Sequence, residues 1–215
     1  VNGAGLDFYD RLVDELLANG VEPVVTLYHW DLPAALEDAG GWPSRRTVDA
    51  FLEFADVVSR RLGDRVSQWI THNEPWVVSW VGYGWGRHAP GRRSVEDALA
   101  AAHHVLLSHG LACEVLRSAS PGARLGIALD LTDAVPASEN AEDVAAAIEL
   151  DGERNRWFLD AIFHGEYPAD VLERFAPSIP AIEDGDLSTI ATPLDFLGVH
   201  YYTRSVVERS PAGRR

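Results

Sequence analysis

The chain has 215 residues with 33 acidic against 18 basic side chains, a formal net charge of -15, and every basic residue is Arg. That balance argues against nucleic acid or an anionic membrane as a partner. A hydrophobic content of 47%, with 18 Gly and 12 Pro, excludes a disordered or collagen-like chain and leaves room for one sizeable core.

The first element is an amphipathic helix within Val1 to Gly20, because Leu6, Tyr9, Leu12, Val13, Leu16 and Leu17 recur at helical spacing and Asn19-Gly20 terminates them. Its polar face is acidic, unlike a signal peptide, and no apolar run approaches the ~20 residues of a membrane span. A cytoplasmic chain is the expectation. Val21 to Tyr28 then reads as a buried strand. Ser44 is expected to cap a second helix whose core face is Val48, Phe51, Leu52, Ala55, Val58 and Leu62, closed by Gly63 before a strand at Val66 to Thr71.

The segment Trp69-Ile70-Thr71-His72-Asn73-Glu74-Pro75 stands out, because the strand stops on an amide, a carboxyl and a proline that cannot donate to a sheet ladder. Glu74 is thereby placed at a carboxyl end, where parallel α/β folds put their chemistry. Pro75 to Arg93 reads as a long loop. Ser94 with Asp97 resembles a capping box for a helix to about Arg117, and Pro121-Gly122 turns the chain into a strand at Arg124 to Leu131. A helix over about Glu142 to His164, an irregular stretch and a strand at Asp195 to Thr203 complete the chain.

Four helix–strand units in strict alternation predict a parallel sheet with right-handed crossovers. Four strands cannot close a barrel, and an eight-stranded barrel takes roughly 250 residues. The expectation is therefore α/β: a partial (β/α)8 TIM barrel with about four central parallel strands and their helices, a single partial domain over residues 1-215. A start at Val1, before an apparently interior helix, and the polar ending Ser210 to Arg215 fit a piece of a larger domain. A doubly wound open sheet is the structural rival, but Gly82-Tyr83-Gly84-Trp85-Gly86 lacks the strand-to-helix context of a phosphate loop.

Leu27-Tyr28-His29-Trp30-Asp31-Leu32-Pro33, Thr71-His72-Asn73-Glu74-Pro75 and Phe196-Leu197-Gly198-Val199-His200-Tyr201-Tyr202 resemble, in order and strand placement, three motifs of glycoside hydrolase family one, the β-glucosidases. The resemblance spans essentially all 215 residues. It implies a retaining β-glycoside hydrolase acting on terminal β-D-glycosyl residues of a β-glucoside or related oligosaccharide, with no metal or organic cofactor. It also implies Glu74 as general acid/base, Asn73 holding a sugar hydroxyl next to the reacting carbon, His29 and Trp30 lining the glycosyl subsite, and Tyr202 bonding the nucleophilic carboxylate.

The chemistry suits these residue types independently. A glycosidic oxygen leaves poorly unless protonated, and a carboxyl in a partly apolar site can keep the proton it must donate. Trp69, Trp76 and Trp80 can supply that apolar surround, and indole faces suit the C–H faces of sugars. As isolated residues, Glu74 would read as an ion-paired strand end, His29 as a structural histidine, and Trp42, Trp69 and Trp157 as core. His103, His104 and His109 lack metal-ligand spacing and are expected to pack or lie exposed, and Cys113 reads as a small core residue.

Two residues depart from the family pattern. His200 stands where the family usually carries Asn, and Asp130 where it often carries Asn. The nucleophile motif Thr-Glu-Asn-Gly does not occur between Tyr202 and Arg215. The chain alone is therefore expected to turn over little or no substrate. One alternative is a non-catalytic carbohydrate-binding half-barrel whose open edges invite homo-oligomers. Another makes Asp130 a substitute nucleophile.

Overall fold

The computed structural model describes residues 1–210 and the backbone of 213–214; Pro211, Ala212 and Arg215 of the polar terminus lie outside the described residues. Helix α1 (Gly3–Ala18) starts on Asn2, whose side chain accepts the Ala4 N–H at 3.1 Å, and stops at Gly20, which turns with φ +72°. Strand β1 is Val24–Tyr28, shorter than the apolar run suggests because Pro23 lacks the ladder N–H. After the short α2 (Ala34–Asp38), α3 (Arg46–Leu62) buries Val48, Phe51, Ala55, Val58 and Leu62 as the spacing predicts. Ser44 is not its cap: Arg45 occupies that position without a side-chain bond.

Strand β2 (Gln68–Asn73) ends where Pro75 requires. The following segment is a loop only from Trp85 on. Val77–Gly84 forms a π-helix whose Val77, Val78, Trp80 and Tyr83 are buried, so its apolar residues on all sides fill space instead of marking an exposed turn. Helix α4 (Val95–Ala119) begins on Ser94, whose hydroxyl accepts the Asp97 N–H at 3.0 Å. Contrary to the reading that no apolar run is long enough, α4 has the length and composition to cross a membrane, but most of it is buried here as the central core helix.

Strand β3 is Arg124–Asp130 and the short β4 is Ala134–Pro136. The single long helix expected next is broken into α5 (Ala141–Asp151), a π turn (Gly152–Arg156) and α6 (Trp157–His164). The irregular stretch contains α7 (Ala169–Arg174) and α8 (Asp186–Ile190). Strands β5 (Phe196–His200) and β6 (Ser205–Val207) follow.

The main sheet runs β1-β2-β3-β5 with every pair parallel, and β4 pairs β6 in a separate parallel ribbon. This is one side of a (β/α)8 barrel, not a closed one. The central strand β3 is buried from Leu125 to Asp130, whereas Val24 on one edge is 48% exposed and Val199 on the other 54%. Of the predicted core face of α1 only Val13 is buried; Leu17 is exposed, and Tyr9 and Leu12 are exposed along a groove of about 600 Å³.

The core gathers α3, α4 and β2 around Trp42, Trp69 and Trp157, all fully buried as expected. Cys113 is fully buried too, and burial pushes its thiol up to about 12. The three histidines of α4 pack. His103 bonds Tyr167 Oη at 2.8 Å and Asp186 at 3.0 Å, His104 meets the Trp42 carbonyl at 2.9 Å, and His109 meets Thr71 Oγ1 at 2.6 Å. The Arg45 guanidinium, in a two-bond fork on Asp186, holds that carboxyl well below the usual range.

Candidate active site

The carboxyl ends of β1, β2, β3 and β5 meet at one rim. Trp30 lies two residues past β1 with φ 81°, and Glu74 one residue past β2 with φ 50°. Side chains rarely adopt this left-handed backbone, which costs about 1–3 kcal/mol per residue and persists where surroundings fix it. Here they do. The Glu74 N–H donates to Ala128 O of β3 at 2.8 Å, and the Trp30 indole N–H donates to Asn73 O at 3.0 Å. A register shift between Ile70 and Asn73 accompanies the turn.

Glu74 is 3% exposed, yet its carboxyl is served from β5. His200 Nδ1 meets Oε1, and Tyr202 Oη donates to the same oxygen at 3.0 Å. The resemblance paired Tyr202 with a nucleophilic carboxylate; in this chain its partner is Glu74. Tyr202 itself is 73% exposed, beyond β5, which is an edge strand of the sheet among the described residues. Both departures from the family pattern therefore fall on the rim, His200 against Glu74 and Asp130 against Arg154.

Asp130 ends β3 and accepts Arg154 Nη2 at 2.6 Å. Burial raises its carboxyl, the Arg154 guanidinium offsets part of that, and the Glu74 charge adds to the rise. The Arg154 guanidinium lies 4.3 Å from the Trp76 ring centroid. Asp130 Oδ1 and Arg154 Nε are buried without hydrogen-bond partners. Arg154 escaped the sequence reading because it sits mid-helix, 24 residues from its partner.

Asn73 is 5% exposed, and its side-chain amide has no protein hydrogen bond among the described residues. His29 and Trp30 are exposed on the rim with rings 5.4 Å apart. His88, which sequence reasoning did not single out, also packs against Trp30 with ring centroids 5.3 Å apart. A cleft of about 690 Å³ opens beside Trp30, walled by Tyr28, Asp31, Glu37, Tyr83 and Pro90; Glu74 is outside its walls. The ring contacts of Trp76 and Trp80 among the described residues are with Arg154, Trp85 and Phe175.

The rim thus joins a buried strand-end carboxyl, an unengaged amide and an exposed indole on one side of a (β/α)8 barrel. The chain belongs to glycosyl hydrolase family 1, whose profile matches residues 1–214. It is 45% identical to a β-glucosidase of Agrobacterium sp. (strain ATCC 21400) over 94% of this chain and 44% of that protein. It is 48% identical to thermostable β-glucosidase B of Thermobispora bispora, covering all of this chain and 44% of the relative. The crystal structure of a psychrophilic β-glucosidase from Micrococcus antarcticus superposes with a TM-score of 0.96 at 50% identity, over 98% of this chain and 45% of that one. The chain spans about half the length of the curated relatives it matches.

Proposed function

We propose that this chain carries the acid/base half of a retaining β-glucosidase-type site. The observation that supports it most is Glu74: a buried carboxyl on a left-handed strand end, held by donors from β5 and flanked by Asn73 and Trp30. In this reading Glu74 protonates the glycosidic oxygen of a β-glucoside as the bond to the anomeric carbon breaks. A carboxylate from outside the chain attacks that carbon from the opposite face, about 5–5.5 Å from the acid. Glu74 then takes a proton from the water that hydrolyses the covalent glycosyl intermediate. Trp30 and His29 seat the sugar ring, and Asn73 binds the neighbouring hydroxyl.

The test is a chimera in which residues 1–214 replace the matching segment of the Agrobacterium β-glucosidase. It is expected to release nitrophenol from an aryl β-glucoside. Glu74→Ala should lower kcat by at least about 10²-fold, and with the nitrophenyl substrate, whose good leaving group departs without an acid, added azide should restore turnover by attacking the glycosyl intermediate without a base. A Glu74→Ala chimera as active as its parent overturns the reading.

The open edges support a second reading, in which the half-barrel is a self-associating carbohydrate-binding piece. Val24, Val199 and the α1 face are the apolar surface such association would cover. Sedimentation of a compact monomer at all concentrations would remove it.

A further inference from the structure

His200 is placed by backbone before its side chain acts. It pairs with Asp130 in the β3–β5 register, and its carbonyl accepts the Leu131 N–H at 3.0 Å. The imidazole is then delivered to Glu74, with its side chain about one-third exposed. The charged and titratable groups around it are Glu74 from β2, Tyr202 from its own strand's continuation, and Asp130 with Arg154 from β3 and the helix after it.

Both donors to Glu74 converge on Oε1, and Oε2 has no hydrogen-bond partner among the described residues. A carboxylate oxygen only accepts, so Nδ1 is the protonated ring nitrogen in this pair and Nε2 carries the lone pair. An oxygen already accepting two hydrogen bonds is the poorer place for a further proton. The two oxygens of the carboxyl are thus made unequal by protein contacts.

We propose that His200 is a positioning residue for Glu74: with Tyr202 it occupies Oε1, so that Oε2 is the oxygen that gives and recovers the proton. This deepens the acid/base reading above and rests on it for its catalytic meaning. In the forward step the proton on Oε2 passes to the glycosidic oxygen, the electron pair of the breaking C–O bond stays on that oxygen, and the external carboxylate forms the new bond to carbon. Oε1 keeps its two donors throughout, and they stabilise the negative charge left on the carboxylate. A side-chain donor at position 200 fixes the carboxyl rotamer, and an imidazole does so with a set tautomer.

The test uses the 215-residue chain with ¹⁵N-labelled histidine, read by long-range ¹H–¹⁵N spectra at pH 8, with His200→Asn identifying the signal. The expected result is a His200 ring protonated on Nδ1, with its proton shifted downfield by the charged acceptor. Glu74→Ala should redistribute the tautomer toward Nε2–H, and Glu74→Gln, which leaves a neutral acceptor of the same shape, should move the proton upfield. Tyr202→Phe should leave the tautomer in place. A ring protonated on Nε2 in the unaltered chain, or a Nδ1–H signal unchanged in both Glu74 variants, overturns the proposal. Because this signal needs no turnover, a chimera that fails to hydrolyse glucosides while the His200 signature persists would sink the glycosidase reading alone.

Discussion

The indole N–H of Trp30 donates to the backbone carbonyl of Asn73 at 3.0 Å, tying the end of β1 to the end of β2. Each partner is next to or at a left-handed residue, Trp30 itself and Glu74, so one hydrogen bond bridges two strained turns of the rim. Phe at position 30 keeps the ring and removes the donor. Trp30→Phe is expected to cost about 1 kcal/mol in urea unfolding. It should also weaken binding of β-glucosides to the chimera, measured as a higher KM.

The Asp130–Arg154 pair should behave as a buried ion pair. Arg154→Met leaves the carboxyl without its charge partner and is expected to cost about 3 kcal/mol, while adding Asp130→Asn should recover much of that. The sign with pH follows from the raised Asp130 carboxyl, which binds its proton more tightly folded than unfolded. The Arg154→Met deficit should therefore shrink as pH falls, and a deficit that grows instead would refute the pairing.

Buried histidines predict acid sensitivity. Burial depresses His72, His103 and His104, and it takes His109 down to about 3. A histidine kept neutral in the fold contributes stability that is present above the unfolded pKa of about 6.5 and is lost as pH falls toward the folded value. His109, neutral in the fold down to about 3, adds up to about 1.4 kcal/mol per pH unit to the slope below pH 6. His109→Gln should reduce that slope by one proton, read from urea unfolding at a series of pH values.

Close approach of α4 to α8 depends on Gly110. A Cβ there would lie 2.1 Å from the Thr189 carbonyl oxygen, a backbone atom that cannot swing away. Gly110→Ala should destabilise the chain by about 3 kcal/mol or more, whereas Gly122→Ala meets no neighbouring atom and should cost only its positive-φ strain, about 1 kcal/mol.

The parallel order of the sheet was legible because apolar runs, Gly63 and Pro121-Gly122 punctuate the chain, and Glu74 was legible because Pro75 ends its strand. Helical periodicity misled where context overrides it. The α1 stripe implies burial, but only Val13 of it is buried, and Val77 to Gly84 looks like a loop because a largely buried helix has no polar face to set a period. Ser44 fails as a cap because Arg45, already in helical geometry, takes the cap position without a side-chain bond. Long-range pairs such as Arg154 with Asp130 and His200 with Glu74 leave no local pattern to read.

The most direct measurement is release of aryl aglycone from an aryl β-glucoside by the purified, mass-verified 215-residue chain beside its Glu74→Gln variant. If the chain holds only the acid/base half of the site, a folded sample of either should release no aglycone above background. Turnover by the unaltered chain that Glu74→Gln abolishes would mean that these residues build a complete site, contradicting the need for a carboxylate from outside.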